Sequence, residues 1–204
     1  MSIGLIDYGM GNLRSVQKAL AVVGARAQII HHPEEIDQSD KIVLPGVGAI
    51  KDAISTLRQR RLDEAVIRHI QRGKPFLGIC LGLQMLFDVG YEDGEHRALG
   101  ILPGKCIRFD VDQTMRLKVP HMGWNQLIVR RRSPLLKDLP EGASVYFVHA
   151  YHVVPDDASV IAAETDYGRL FVSSVWCDNL LATQFHPEKS QKVGLQMLAN
   201  FAEM

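Results

Sequence analysis

Four times in the first ninety residues a short apolar run breaks off at a turn built from glycine, proline or polar residues. Three of the four turns lead straight into a helical pattern. Residues 3–6 end in Asp7-Tyr8-Gly9-Met10-Gly11-Asn12, after which Leu13, Val16, Leu20 and Val23 recur at helical spacing and Gly24 closes the helix. Residues 26–30 form a second run, followed by a polar connection through Pro33. Residues 41–44 end in Pro45-Gly-Val-Gly48, and residues 49–71 carry one long amphipathic pattern (Ile50, Ile54, Leu57, Leu62, Ala65, Val66, Ile70) stopped by Gly73 and Pro75. The fourth run, residues 76–79, meets Cys80. Strands alternating with helices predict an α/β fold with a parallel, doubly wound sheet and right-handed crossovers. In such sheets ligands bind outside the carboxyl ends of the strands. The turns at 9–12, 45–48 and 80–82 are therefore expected to face one another across one crevice.

The turn at Cys80 is the most specific of these. Gly78-Ile-Cys80-Leu-Gly82 is a G-x-C-x-G arrangement at a strand-to-helix junction, with Leu81, Leu83, Met85, Leu86 and Phe87 continuing as a helix. Glycines suit a sharp turn that neighbouring backbone must pass closely. Such a turn lifts the sulfur above the strand end and aims the first helical amides at whatever it attacks. Taken alone, the motif fits a buried thiol and a nucleophile equally well.

The second half changes character. Residues 104–110, 124–130, 144–148, 160–163, 170–176 and 180–184 read as short strands between turn residues, several of them antiparallel additions to the sheet. A helix over about residues 191–202 presents Val193, Met197, Leu198 and Phe201 on one face. With no linker, repeat or low-complexity tract, residues 1–204 read as one domain.

Composition narrows the class. Apolar residues are 47% of the chain, charged residues 23%, and formal net charge is zero, so no polyanion-binding balance is present and nucleic acid is not an expected partner. The basic runs Arg58-Gln-Arg60-Arg61 and Arg130-Arg131-Arg132 read as solvated faces, the second also as a possible protein contact. Three widely spaced cysteines (Cys80, Cys106, Cys177) suggest neither a disulfide framework nor a metal cluster and fit a reducing compartment. No signal segment or membrane-length apolar run is apparent, so the expectation is a cytoplasmic protein without membrane contact.

A cysteine nucleophile needs a base, and the base an orienting group. Thr183-Gln-Phe-His186-Pro-Glu188-Lys-Ser190 offers both. Pro187 keeps His186 extended, and residues two apart in an extended segment point the same way. Glu188 can thus hold one ring nitrogen of His186 while the other faces Cys80. Of the eight histidines, His31 and His32 sit in a loop, His69 in a charged helix, His96 in a polar connection, and His121, His149 and His152 near strands. None shows metal-ligand spacing, and no metal or cofactor is expected.

The Cys80 and His186 segments together resemble the nucleophile and His-Glu motifs of class I (triad) glutamine amidotransferases. Ile6-Asp-Tyr-Gly-Met-Gly-Asn-Leu-Arg14-Ser, Leu44-Pro-Gly-Val-Gly-Ala49, Pro120-His-Met-Gly-Trp-Asn125, Tyr146-Phe-Val-His149 and Gln184-Phe-His-Pro-Glu-Lys-Ser190 are similar, in order and over nearly the whole chain, to the glutaminase subunit family of imidazole glycerol phosphate synthase. The resemblance implies a class I amidotransferase fold. It also implies hydrolysis of L-glutamine to glutamate and ammonia through a Cys80 thioester, with His186 as acid and base and Glu188 as its orienter. Ammonia would pass to a β/α-barrel cyclase in a heterodimer, which uses a phosphoribulosyl formimino nucleotide to form imidazole glycerol phosphate and an aminoimidazole ribotide in histidine biosynthesis.

The oxyanion of such a reaction needs donors already in position, and the candidates are the Leu81 amide and an amide of Pro45-Gly-Val-Gly48, that of Val47 or Gly48. Between Gly46 and Gly48 a peptide can turn over easily, so this loop is expected to be held inactive until the partner is loaded. Gln84 and Glu92 are implied glutamine-binding positions, with Glu92 suited to the substrate's amino group. Lys189 suits the substrate carboxylate or the partner interface, and Asn12 and Tyr146 match positions at the subunit boundary. Ala150 stands where relatives often carry Ser, so any hydroxyl contact there is missing. Rivals are a stand-alone glutaminase, the glutaminase partner of another synthase, and a non-catalytic regulatory module.

Overall fold

The computed structural model describes residues 1–110 and 117–204. Its centre is a five-stranded parallel array in which β2 (Ala27–Ile30), β1 (Ile3–Ile6), β3 (Lys41–Gly46), β4 (Phe76–Cys80) and β14 (Leu180–Thr183) lie side by side in that order. Every residue of β1, β3, β4 and β14 is buried, because both sheet faces are covered. On one face, Val16 and Leu20 of α1 (Leu13–Val22) and Met197, Leu198 and Phe201 of α6 (Gln191–Glu203) pack with Leu5, Val43, Leu77 and Leu181. On the other, α2 (Pro33–Gln38), α3 (Ile50–Gln59) and α4 (Leu62–Gln71) cover Ile6, Leu44 and Phe76. The expected doubly wound sheet is present. Beyond β14 the sheet is antiparallel as far as β7: β14 pairs with β13 (Leu170–Cys177), which pairs with β11 (Tyr151–Pro155) and β12 (Ile161–Asp166), and β11 pairs with β7 (Gly104–Arg108). The short β5 (Val89–Gly90) and β6 (His96–Arg97) finish that edge. Separate from it, β8 (His121–Gln126) and β10 (Ser144–His149) form a two-stranded antiparallel sheet, while β9 (Ile128–Val129) joins β12.

One buried charge ties the layers together. Lys41, 1% exposed, sends its ammonium to the Phe201 and Ala202 carbonyls at the end of α6. Those carbonyls have no helical partner, and a cation there also meets the negative end of the helix dipole.

The structure revises four readings of the sequence. The pattern over 49–71 is two helices, because Arg61 adopts a left-handed conformation (φ 57°) between them. The apolar stripe steps from Leu57 to Leu62, five residues, and so leaves the helical period there. The helix after Cys80 is a single turn, α5 (Leu81–Gln84). Beyond it the carbonyls of Met85, Leu86 and Phe87 accept from the amides of Leu99, Gly100, Ile101 and Leu102 instead of from the next helical turn. The polar connection through Pro33 contains α2, whose start is fixed by Glu35 accepting from the His31 and His32 amides at 2.7 and 2.9 Å. Residues 124–130 are not one strand: Leu127 is buried and bonds Ala143 O, dividing β8 from β9.

Candidate active site

The register Gly46↔Cys80 and Ile79↔Thr183 sets the ends of β3, β4 and β14 at one level. Chain leaving those ends lines a cavity of about 300 Å³ whose walls include Val47, Gly48, Cys80, Leu81, Gln84, Glu92, His149, Ala150, Tyr151 and His186. A larger hollow of about 530 Å³, between β9 and residues 136–142, contains neither cysteine nor histidine. The turn at residues 9–12 does not line the Cys80 cavity. It supports the loop behind it, for Met10 lies against Gly48, while Asn12 opens onto a different hollow with Asp7, Arg14 and His31. Two of the three expected turns therefore share the crevice.

Cys80 itself is held at φ 56°, ψ −107°, a conformation disfavoured for any residue with a side chain. Such strain costs on the order of 1–3 kcal/mol and persists only where surrounding packing imposes it. Here the packing is tight: a Cβ on Gly82 would overlap the Leu44 carbonyl oxygen, and one on Gly78 would meet Gly82 O at 2.8 Å.

His186 leaves β14 with its Nδ1 2.8 Å from Glu188 Oε1, both side chains buried. Burial works against charge on His186, but the Cys80 sulfur and then Glu188 outweigh it and raise its pKa to about 10. Among the described residues its Nε2 and the second Glu188 oxygen find no hydrogen-bond partner. The imidazole can therefore take a proton at the ring edge toward Cys80 while Glu188 fixes the other edge.

The Leu81 amide opens the turn after Cys80, and Val47 and Gly48 lie on the cavity wall, Gly48 at φ +95°. Both are exposed, which leaves the loop open to rearrangement. Glu92 reaches the same loop from the far side, accepting from the Ile50 amide at 2.9 Å. Gln84 donates to Tyr151 O and to Gln184 Oε1, each at 3.2 Å. Ala150 contributes a cavity wall without a hydroxyl.

Lys189 and Tyr146 sit away from the cavity lining. The Lys189 ammonium lies 5.8 Å from the Tyr146 ring centre, and Tyr146 stands opposite Trp124 in the β8–β10 register. Trp124 and Met122 expose large apolar surface on this face. Lys189 is absent from the cavity wall and turns to this face instead.

Four participants were missed in the sequence. Gln184 donates its amide to the Cys80 sulfur at 3.7 Å; its place two residues before His186 was the available signal. Ser190 accepts from the Tyr146 amide and donates to His186 O, tying β10 to the histidine turn. His149 lines the cavity with its Nδ1 2.8 Å from Tyr151 O. Tyr8 is fully buried, its hydroxyl without a partner among the described residues and 2.6 Å from where a Gly46 Cβ would stand. Burial, then nearby Cys80, pushes its phenol above the ordinary range.

The surroundings of the other two cysteines disfavour their thiolates. Cys106 is buried and its thiol pKa is raised by that burial, then by Glu92 and Cys80. Cys177 is exposed, and partial burial and Asp178 raise its pKa. Among the described residues no group of three or more His, Cys, Asp or Glu is arranged to hold a metal ion, and no helix is long and apolar enough to cross a membrane.

Residues 4–204 match the family model for class-I glutamine amidotransferases. The chain is 55% identical to the imidazole glycerol phosphate synthase subunit HisH of Syntrophotalea carbinolica, covering 99% of this chain and 100% of that protein. It is 54% identical to the subunit of the same name from Aquifex aeolicus, over 97% and 94%. A crystal structure of a glutamine amidotransferase superposes with a TM-score of 0.76 over 99% of both chains at 20% identity, a likeness of fold alone.

Proposed function

The chain belongs to the class-I glutamine amidotransferase family as a glutaminase subunit of imidazole glycerol phosphate synthase, and from this premise we propose that Cys80 is its nucleophile, His186 its acid–base and Glu188 the carboxylate orienting His186. The observation that carries the reading is the convergence of a strained cysteine at the end of β4 and a buried His–Glu pair at the end of β14 on one cavity.

In this reading the Cys80 thiolate, favoured by the His186 imidazolium, attacks the side-chain carbonyl of glutamine. The tetrahedral oxyanion is met by the Leu81 amide and by an amide of Val47 or Gly48. One such donor is worth about 3–4 kcal/mol in the transition state. His186 gives its proton to the departing nitrogen, which leaves as ammonia, and a thioester remains on Cys80. His186 then takes a proton from water as the water attacks the thioester, and collapse releases glutamate and restores the Cys80 thiolate beside a protonated His186. Glu188 holds the imidazole in place and stabilises its charged form. Gln84 and Glu92 grip the substrate, and Gln184 steadies the sulfur.

The partner is a β/α-barrel cyclase in a heterodimer. Support comes from Trp124 and Met122, which expose apolar surface beside Tyr146 and Lys189 near the histidine turn; Asn12, on the hollow with Asp7, Arg14 and His31, is the other position proposed for the boundary. Ser190 joins that face to His186 O, so docking can be felt at the base. Co-purification with the cyclase, followed by glutaminase assays with and without its nucleotide substrate, tests the reading. Weak hydrolysis by the isolated chain and strong hydrolysis by the loaded complex are expected. Equal rates in both states would remove the coupling, and failure to co-purify would remove the partner.

A further inference from the structure

His121 and His149 face each other across the β8–β10 ladder, both more than nine-tenths buried, with His121 Nδ1 3.2 Å from His149 Nε2. The hydrogen bonds around them leave one proton arrangement. Asn125 Oδ1 accepts from the Gln126 amide at 2.8 Å, so its Nδ2 is the atom turned to Asp166 O, at 2.8 Å, and to His121 Nε2, at 3.4 Å. His121 Nε2 is then an acceptor, and a neutral ring must carry its proton on Nδ1. That proton goes to His149 Nε2, which leaves the His149 proton on Nδ1, facing Tyr151 O at 2.8 Å. Burial disfavours a second proton on either ring, lowering the two pKa values to about 4 and about 3. Stacking of His121 between Phe147 and Tyr167 fixes its plane.

Tyr151 O is also where Gln84 donates, and Gln84 reaches Gln184, which donates to the Cys80 sulfur. The hydrogen bonds therefore run unbroken from Asn125 on β8 to the nucleophile. His152, although adjacent, stands outside this path with its Nδ1 toward Val153 O.

We propose that Asn125 and His121 are positioning residues for the substrate cavity, acting through His149 to hold the Tyr151 carbonyl and Gln84 in place. The proposal rests on reading the cavity as a glutamine site. Neither residue lines the cavity, so both act on substrate only through His149. Without the His121 proton, His149 Nε2 is a buried acceptor with no donor, and the ring is free to leave Tyr151 O.

The test pairs His121→Phe, which fills the space and stacks but cannot donate, with His121→Asn, whose side-chain amide offers a donor near the Nδ1 position. Both are assayed in complex with the cyclase, with thermal unfolding measured alongside. The KM for glutamine is expected to rise about tenfold or more in His121→Phe with a much smaller change in kcat, and to recover in part in His121→Asn. An unchanged KM in a folded His121→Phe protein, or no recovery in His121→Asn, would overturn the proposal. Independently of turnover, nitrogen NMR of the wild-type chain at neutral pH should find His121 and His149 both protonated on Nδ1, the minority form for free histidine. An Nε2-protonated ring at either position overturns the proposal even if the protein is a glutaminase. A wild-type complex that hydrolyses no glutamine while showing both Nδ1 protons would instead sink the functional reading and leave the proton chain standing.

Discussion

Nδ1 of His186 lies 2.8 Å from Oε1 of Glu188, with the two side chains only 2% and 1% exposed. A pair so enclosed is strongly coupled, and removing one charge leaves the other without compensation. Glu188→Gln keeps an oxygen near the ring but removes its charge. Glutaminase kcat in the cyclase complex is expected to fall roughly 10²- to 10⁴-fold, with KM much less affected. The pH dependence of stability follows from His186, whose charged form burial opposes but the Cys80 sulfur and then Glu188 favour. His186 is raised from 6.5 to about 10, so its contribution is complete below about pH 6.5 and lost as pH rises through about 10. Removing the Glu188 charge should move that loss to lower pH, as read by melting temperature across the alkaline range.

The acid side is governed by the opposite shift. His121 and His149 fall from 6.5 to about 4 and about 3, because burial disfavours their charged forms. The unfolded chain therefore binds more protons than the native one between these values and pH 6.5. Their stabilisation is complete above about pH 6.5 and is lost as pH falls toward 3–4. Among the described residues the groups near the pair are His152, His186, Tyr167 and Asn125, of which His152 and His186 can add positive charge. A His121→Phe chain should show a shallower loss of melting temperature from pH 6.5 down to 4.

The glycine at position 82 is expected to tolerate no side chain. Its missing Cβ would overlap the Leu44 carbonyl oxygen, and backbone cannot rotate away as a side chain can. Overpacking ordinarily costs about 1–3 kcal/mol, and a clash with main chain belongs at or above the upper end. Gly82→Ala should unfold several degrees lower and lose activity. A variant with wild-type melting temperature and rate would show that the turn is looser than described.

Tyr8 gives a prediction of opposite sign. Its hydroxyl is buried without a partner among the described residues, and an unmade hydrogen bond is costly, so deleting the oxygen need not destabilise. Tyr8→Phe should match or exceed wild-type stability, within about 1 kcal/mol, in denaturant unfolding. A loss above 2 kcal/mol would mean that the hydroxyl is bonded after all.

What could be read from the sequence was local. Runs such as residues 41–44 and 76–79 are apolar throughout because both faces of their strands are covered, and the glycines at 78 and 82 mark a close backbone approach that the structure contains. The break at Arg61 was present as the five-residue step from Leu57 to Leu62, but charged helical residues on both sides concealed it. The helix after Cys80 was overread because what ends it is distant: amides of residues 99–102 capture the carbonyls of 85–87. The His121–His149 contact was beyond reach for the same reason. It exists only because β8 pairs with β10 across 28 residues of chain. Lys189 directly follows the carboxylate that orients the catalytic candidate His186, yet its ammonium turns to Tyr146, a direction that periodicity does not encode.

The central claim is that Cys80, of the three cysteines, is the one that attacks glutamine. It is measured most directly by treating the cyclase complex with an electrophilic glutamine analogue, such as a chloroketone, and locating the adduct by peptide mass spectrometry. One equivalent on Cys80, with loss of glutaminase activity in step and protection by glutamine, is the predicted result. Inactivation with the label on Cys106 or Cys177 and Cys80 unmodified would contradict it.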